Sequence, residues 1–232
     1  MTELMFQVAM RTMMPRWWMT GLAVVGLVLA WGPARAQSCP PMPKPTYGLQ
    51  LDHGSPVYRN DRSRAEVSRL AGPGLPGHSQ QGLTHSETEF SLTITVNAAV
   101  LESGRTCVAL GEARGVWRLS KLEVDIVREH PPGTCPHAVI RAHEDQHVAM
   151  AQRMFIRHAG TIRARLGQLV AQSRPSITAL APAQATQVLR DQLMEGLKTT
   201  LAAFERDLAR ANAAIDTPQN YKAETAKCPR WE

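Results

Sequence analysis

Hydrophobic and polar positions alternate along the middle of the chain. In residues 89–98 every second residue is Phe, Leu, Ile, Val or Ala, and most of the residues between them are Ser, Thr or Asn. A period of two is typical of a β-strand with one buried face. Segments 105–111 and 115–129 continue the strand-like pattern, and the Pro- and Gly-containing stretch 130–136 ends it. These segments predict a small antiparallel sheet.

The period changes at Pro136. From there to about residue 172, apolar residues recur at three- and four-residue steps, as on one face of a helix. The stripe consists of Ile140, Glu144, His147, Ala151, Phe155, His158, Ile162, Leu166 and Leu169. After a turn at 173–182, a second stripe predicts another long helix: Leu189, Leu193, Leu197, Leu201, Phe204, Leu208 and Ile215. The predicted fold is therefore α+β, a small antiparallel sheet followed by a long antiparallel helical hairpin.

The N-terminus has the features of a secretory signal peptide. Arginines precede an apolar run at 17–32 that is short for a membrane span, and an Ala-Arg-Ala cleavage sequence follows it. We expect residues 1–36 to be removed; the alternative is an uncleaved N-terminal anchor. Cleavage would leave an exported protein, periplasmic or secreted, with no stable membrane span. It would contain a Pro/Gly-rich segment at 37–87 and a domain at 88–232.

Charge and aromatic content argue against nucleic acid as a partner. The net charge of +6 is not gathered into a dense Lys/Arg block, and the chain has only three Tyr and four Phe. A nucleic-acid-binding protein would be expected to show a basic patch or stacking platforms.

All four cysteines follow residue 36, and none forms a Cys-x-x-Cys pair. An even number of cysteines in an exported chain favours disulfides over a thiolate metal site. Three pairings are open, and we prefer Cys107–Cys135 with Cys39–Cys228. The first would tie the sheet to the loop before the helix, and the second would join the two ends.

The first predicted helix carries the sequence His143-Glu144-x-x-His147. Residues four apart lie one turn apart on the same side of a helix, so the two imidazoles can bind one metal ion, for which we expect Zn²⁺. Glu144 can then act as the general base that takes a proton from a metal-activated water. Glu144 and His147 lie on the apolar stripe, where an unpaired carboxylate would cost several kcal/mol. A salt bridge from Glu144 to Arg141 or Arg157 is the non-catalytic alternative.

The third metal ligand is less evident. Glu205 on the second helix is our preferred ligand, with Asp207 and His137 as alternatives, and a solvated ion pair is the other explanation for the two acids. His158 lies 11 residues beyond His147, about 16 Å along a helix, so we expect a core or interface histidine.

The motif helix, the cysteine before it and the sequence Tyr-Lys-Ala-Glu-Thr at 221–225 resemble a family of secreted bacterial zinc-dependent proteases. The resemblance covers residues 88–228 and implies a zincin-like metallopeptidase domain. That family ends in Tyr-Asp-x-x-Thr-x-His-Gly. Tyr221 and Thr225 match this element, whereas Lys222 and Lys227 replace its Asp and His.

These features predict an exported zinc metallopeptidase that cleaves a peptide or protein substrate. Two alternatives stay open: an inactive envelope protein that keeps the scaffold for binding or structure, and a periplasmic metal-binding protein without hydrolase activity.

Overall fold

Two long strands form the centre of the sheet. The computed structural model describes residues 38–72 and 80–231. In it, β3 (Gly82–Val100) pairs antiparallel with β4 (Thr106–Ile126) along their whole lengths. The alternating segment predicted as a strand lies in β3. This strand also includes residues 82–87, the end of the predicted Pro/Gly-rich segment.

Three short strands pair with the other edge of β4. β1 (Thr46–His53) and β2 (Val57–Arg59) run parallel to it, whereas β5 (Ser176–Thr178) is antiparallel. The predicted small antiparallel sheet is therefore wrong, because the sheet is five-stranded and contains parallel pairs. Parallel strands need a long crossover connection, which here passes through a helix and β3 before the chain returns in β4.

In the described part of the chain, four helices accompany this sheet: α1 (Arg64–Ala71), α2 (Cys135–Gln172), α3 (Pro182–Ile215) and α4 (Pro218–Thr225). The side chain of Thr134 caps α2 by accepting a hydrogen bond from the backbone N–H of His137. The predicted architecture of a sheet followed by a simple helical hairpin is also wrong. The link between α2 and α3 contributes β5 to the sheet, and α4 follows α3.

The core lies where the helices cover the sheet. Trp117 of β4 stacks on Phe155 of α2, with ring centroids 5.5 Å apart, and meets Phe204 of α3 edge-on at 5.6 Å. All three rings are at most 2% exposed. His143, Glu144 and His147 share the buried side of α2 with Phe155. The core therefore fixes the orientation of the motif.

Both disulfides differ from the predicted pairing. The bonds are Cys39–Cys107 and Cys135–Cys228, with Cα atoms 5.6 and 5.9 Å apart. The chain before β1 lies beside the start of β4, which brings Cys39 to Cys107. Cys228 follows α4, which packs near the start of α2. Disulfides form and persist in oxidising compartments, so these bonds fit an exported protein.

The predicted N-terminal segment 37–87 contributes to the same sheet as the rest of the chain. It supplies β1, β2 and the start of β3. The predicted signal peptide, 1–36, lies outside the described residues. Among the helices of residues 38–72 and 80–231, none is both long enough and apolar enough to cross a membrane.

Candidate metal centre

Three potential metal ligands meet where α2 approaches the end of α3. His143 and His147 stand one turn apart on α2, and Asp216 is the residue that ends α3. Nε2 of each histidine lies 3.1 Å from Oδ1 of Asp216, and the two Nε2 atoms are 3.2 Å apart. The imidazoles are 7% and 8% exposed and the carboxylate is 33% exposed. The group is therefore buried on the helix side and open to solvent at Asp216.

Without a metal, hydrogen bonds hold this triangle of atoms together in only one protonation state. Oδ1 of an ionised Asp216 only accepts, so a favourable contact with each imidazole requires a proton on both Nε2 atoms. The two N–H groups would then converge on one oxygen, with their positive ends close together and their nitrogens 3.2 Å apart. If one proton is removed, a nitrogen lone pair faces the carboxylate instead. One cation between the three atoms would instead accept a lone pair from each of them.

The spacing of the three atoms fits a small divalent ion. Zinc binds imidazole nitrogen and carboxylate oxygen at about 2.0–2.2 Å, so the ligand atoms of a tetrahedral site lie about 3.3 Å apart. The measured separations are 3.1–3.2 Å. Two imidazoles and one carboxylate are also the donor set of many catalytic zinc sites. These residues therefore fit the metal that the motif predicts.

Neighbouring side chains orient two of the three ligands. Asn212 lies one turn before Asp216 on α3, and its Oδ1 accepts a hydrogen bond from Nδ1 of His147 at 3.0 Å. This bond places a proton on Nδ1 and leaves Nε2 to face the cluster. The Tyr221 hydroxyl donates to Oδ1 of Asp216 at 2.8 Å. Such outer partners fix the tautomer and orientation of metal ligands.

The charges of the cluster are strongly coupled. Burial alone would raise the pKa of Asp216, but hydrogen bonds from His143 and His147 outweigh it and hold that pKa well below its ordinary value. Burial would lower the pKa of His147, but the bond to Asp216, the charge of Glu144 and the bond to Asn212 raise it. Burial and the bond to Asp216 raise the pKa of Tyr221. The site thus favours the ionised form of Asp216 beside the protonated form of His147.

Glu144 is held against the beginning of β3. Its Oε2 accepts a hydrogen bond of 2.8 Å from the Thr84 hydroxyl, and the residue is 4% exposed. A Cβ atom at Gly82 would lie 2.5 Å from Oε1 of Glu144, so only glycine permits this approach. Burial raises the pKa of Glu144 more than the charge of His147 and the Thr84 bond lower it.

The arginines considered as salt-bridge partners of Glu144 do not serve that role in the described structure. Arg141 lies over the Tyr58 ring, 4.4 Å from its centroid, and its Nε is 3.9 Å from Asp145. The hydrogen-bond partner of Glu144 is Thr84 instead.

The structure does not bring the predicted third ligand to the cluster. Glu205 is exposed on α3 and accepts a hydrogen bond from Thr88 at 3.2 Å. Asp207 instead pairs with His158, Oδ2 to Nε2, at 3.2 Å. His158 is 6% exposed, which confirms the prediction of a core histidine. His137 lies in the first turn of α2 and is not part of the metal-ligand group found among the described residues.

Asp216 was not identified from the sequence, although a local signal marks its position. Thr217 and Pro218 follow it, and Thr-Pro is a common start for a new helix. α3 therefore had to end just before this pair. An acid at such a break can turn toward a neighbouring helix, as Asp216 does.

In comparisons with protein-family models, with curated proteins and with solved structures, the chain matches none. The resemblance to secreted zinc-dependent proteases therefore stays a prediction, and the site is interpreted from its own geometry and chemistry.

Proposed function

We propose that this chain is an exported zinc-dependent hydrolase that cleaves peptide bonds, with His143, His147 and Asp216 as the metal ligands. The proposal is carried by one observation: two buried imidazole nitrogens and a carboxylate oxygen lie 3.1–3.2 Å from one another, close enough to bind a single ion. The ion is zinc in this proposal because the spacing suits tetrahedral coordination. Two histidines and a carboxylate are also used by non-haem iron proteins, so the metal must be identified by measurement.

Bound zinc would supply Lewis acidity toward a water molecule and a substrate carbonyl. The chain's own residues provide the rest of the chemistry. Glu144 follows His143 directly, and its charge acts on both imidazoles. Thr84 binds its Oε2, whereas Oε1 accepts no hydrogen bond from the described residues. Oε1 is therefore the atom that we expect to take a proton from water and deliver it to the departing amine.

A zinc-binding protein without hydrolase activity is the second candidate. The observation in its favour is the position of Glu144, which is 4% exposed beneath the start of β3. A general base must come within hydrogen-bond reach of its proton donor, about 2.6–3.2 Å, or act through one water. If β3 keeps water and substrate away from Oε1, the cluster would bind metal without cleaving a peptide.

Metal removal separates these candidates. We expect the purified chain to bind one zinc ion and to cleave an unstructured polypeptide, because the ligand cluster and Glu144 are adjacent. Treatment with ortho-phenanthroline should abolish cleavage, and added zinc should restore it. Meta-phenanthroline, which does not chelate, is the matched control. Bound zinc without any cleavage would support the second candidate, and a chain that binds no metal would contradict both.

A further inference from the structure

The third ligand is held differently from the two histidines. His143 and His147 project from the interior of α2, where the helix limits their side-chain rotamers. Asp216 lies at the junction of α3 and α4, with non-helical backbone angles of φ −85° and ψ 60°. Its carboxylate is also one-third exposed. Some other contact must therefore fix its direction.

Tyr221 supplies that contact from the middle of α4. Its hydroxyl donates a hydrogen bond of 2.8 Å to Oδ1 of Asp216, the same atom that faces both histidines. Its ring lies against the ring of His143, with the centroids 5.4 Å apart. The one side chain thus spans two of the three ligands.

α4 is itself fastened to α2 by a covalent bond. Cys228, three residues after the end of α4, is joined to Cys135, the first residue of α2. At the other end of α4, the N-cap residue Thr217 directly follows Asp216, and its hydroxyl accepts a hydrogen bond from the N–H of Asn220. Tyr221 is therefore held between the ligand that it contacts and the disulfide.

We propose that Tyr221 is a positioning residue for Asp216, and that the Cys135–Cys228 disulfide anchors the helix that carries it, so that both set the affinity of the cluster for zinc. This inference rests on the metal-binding part of the proposed function, but it does not require that the chain be an enzyme. It assigns a role to α4, which supplies none of the three ligands.

Tyr221→Phe tests the hydroxyl alone, because the ring that packs on His143 is kept. Loss of an outer-shell partner costs about 10- to 100-fold in metal affinity, and we expect a decrease of that size in a zinc competition assay with a chromophoric chelator. The absorption spectrum of the cobalt-substituted protein should also change, which general destabilisation would not cause. Tyr58→Phe is the matched control, since the Tyr58 hydroxyl also donates to an aspartate, Asp145, outside the cluster.

Unchanged affinity and an unchanged cobalt spectrum in Tyr221→Phe would overturn the positioning role. Equal losses in Tyr221→Phe and Tyr58→Phe would do the same, since they would reflect a general effect of removing a tyrosine hydroxyl that donates to an aspartate. If the wild-type chain binds no zinc at all, the proposed function fails together with this inference.

The anchor is tested by comparing the two disulfides. Cys135→Ser/Cys228→Ser should weaken zinc binding at least 10-fold, as expected for losing an outer-shell support. Cys39→Ser/Cys107→Ser should leave the affinity for zinc within about 3-fold of the wild-type value, because distant sites that share no partners affect each other little. This control is matched because it also removes one disulfide, at the far end of β4. Equal losses in the two variants would contradict the anchor.

A measurement on the wild-type chain avoids any failure of the variants to fold. Linkage is reciprocal, so a disulfide that strengthens zinc binding must itself be stabilised by zinc. In a series of redox buffers of graded potential, we expect zinc to shift the equilibrium of Cys135–Cys228 toward the disulfide without shifting that of Cys39–Cys107. Alkylation of the free thiols and mass spectrometry measure the oxidised fraction of each pair. No effect of zinc, or an equal effect on both bonds, would overturn the anchor in a chain that binds zinc.

Discussion

Replacing Glu144 with Gln is expected to lower peptide cleavage by about 10²- to 10⁴-fold, the contribution typical of a general base. Gln keeps the size of the side chain and can still accept from the Thr84 hydroxyl, but it cannot take a proton from water. Because Glu144 is not one of the three ligands, the zinc content should stay the same. Cleavage rates and metal content, measured on the same preparation, check both expectations.

Glu205→Gln is the matched control for this variant. Glu205 also accepts a hydrogen bond from a threonine of β3, Thr88, but it lies outside the cluster. We expect Glu205→Gln to leave both the cleavage rate and the zinc content unchanged. Normal cleavage by Glu144→Gln would contradict the catalytic role of Glu144, and loss of zinc in Glu205→Gln would restore that residue as a ligand.

Replacing Asp216 with Asn is expected to have the largest effect on metal binding. The substitution removes the negative charge that both imidazoles face, and it turns a strong oxygen ligand into a weak one. Changing an outer-shell partner already costs about 10- to 100-fold, so loss of a direct ligand should exceed about 100-fold in zinc affinity. A zinc competition assay, with the fold monitored by circular dichroism, measures this loss.

Asp207→Asn is the control for Asp216. Asp207 also lies on α3 and pairs with one buried histidine of α2, His158, at 3.2 Å. The carboxylate of Asp207 faces one histidine instead of two, and its other neighbour is Arg210, whereas that of Asp216 is Tyr221. We expect Asp207→Asn to leave zinc affinity unchanged. Equal affinity in the wild-type chain and Asp216→Asn would exclude Asp216 as a ligand, and the cluster would then be a hydrogen-bonded ion pair.

The motif helix could be predicted well from the sequence, because its signals are local. The apolar stripe after Pro136 predicted a helix to about residue 172, and α2 runs from Cys135 to Gln172. The two histidines follow from the same period, since residues four apart share a face. Their common orientation toward one point is therefore a property of the helix itself.

The third ligand could not be predicted, because it depends on how two helices align. Folding the two predicted helices back about the middle of the turn at 173–182 places roughly residues 207–213 opposite the motif. In the structure, Asn212 lies opposite His147 and Asp216 opposite His143. The link between α2 and α3 joins the sheet as β5, so the two helices do not fold back symmetrically about its centre. Relative to a symmetric hairpin, the pairing of the helices is displaced by about three residues, or one helical turn. The ligand is Asp216, which lies 11 and 9 residues beyond Glu205 and Asp207.

The sheet and the disulfides were missed for a related reason. Strand neighbours were assigned by their order in the chain, which predicts antiparallel pairs. β1 instead lies parallel to β4, beyond an intervening helix and β3. The same crossover brings Cys39 next to Cys107. Contacts between distant segments carry no local period, so nothing in the hydrophobic pattern marks them.

Anomalous diffraction from zinc-loaded crystals would locate the bound ion. We expect one zinc peak per chain, within about 2.0–2.2 Å of Nε2 of His143, Nε2 of His147 and Oδ1 of Asp216. A chain that takes up no zinc at equimolar metal, or a peak located away from these three atoms, would contradict this expectation.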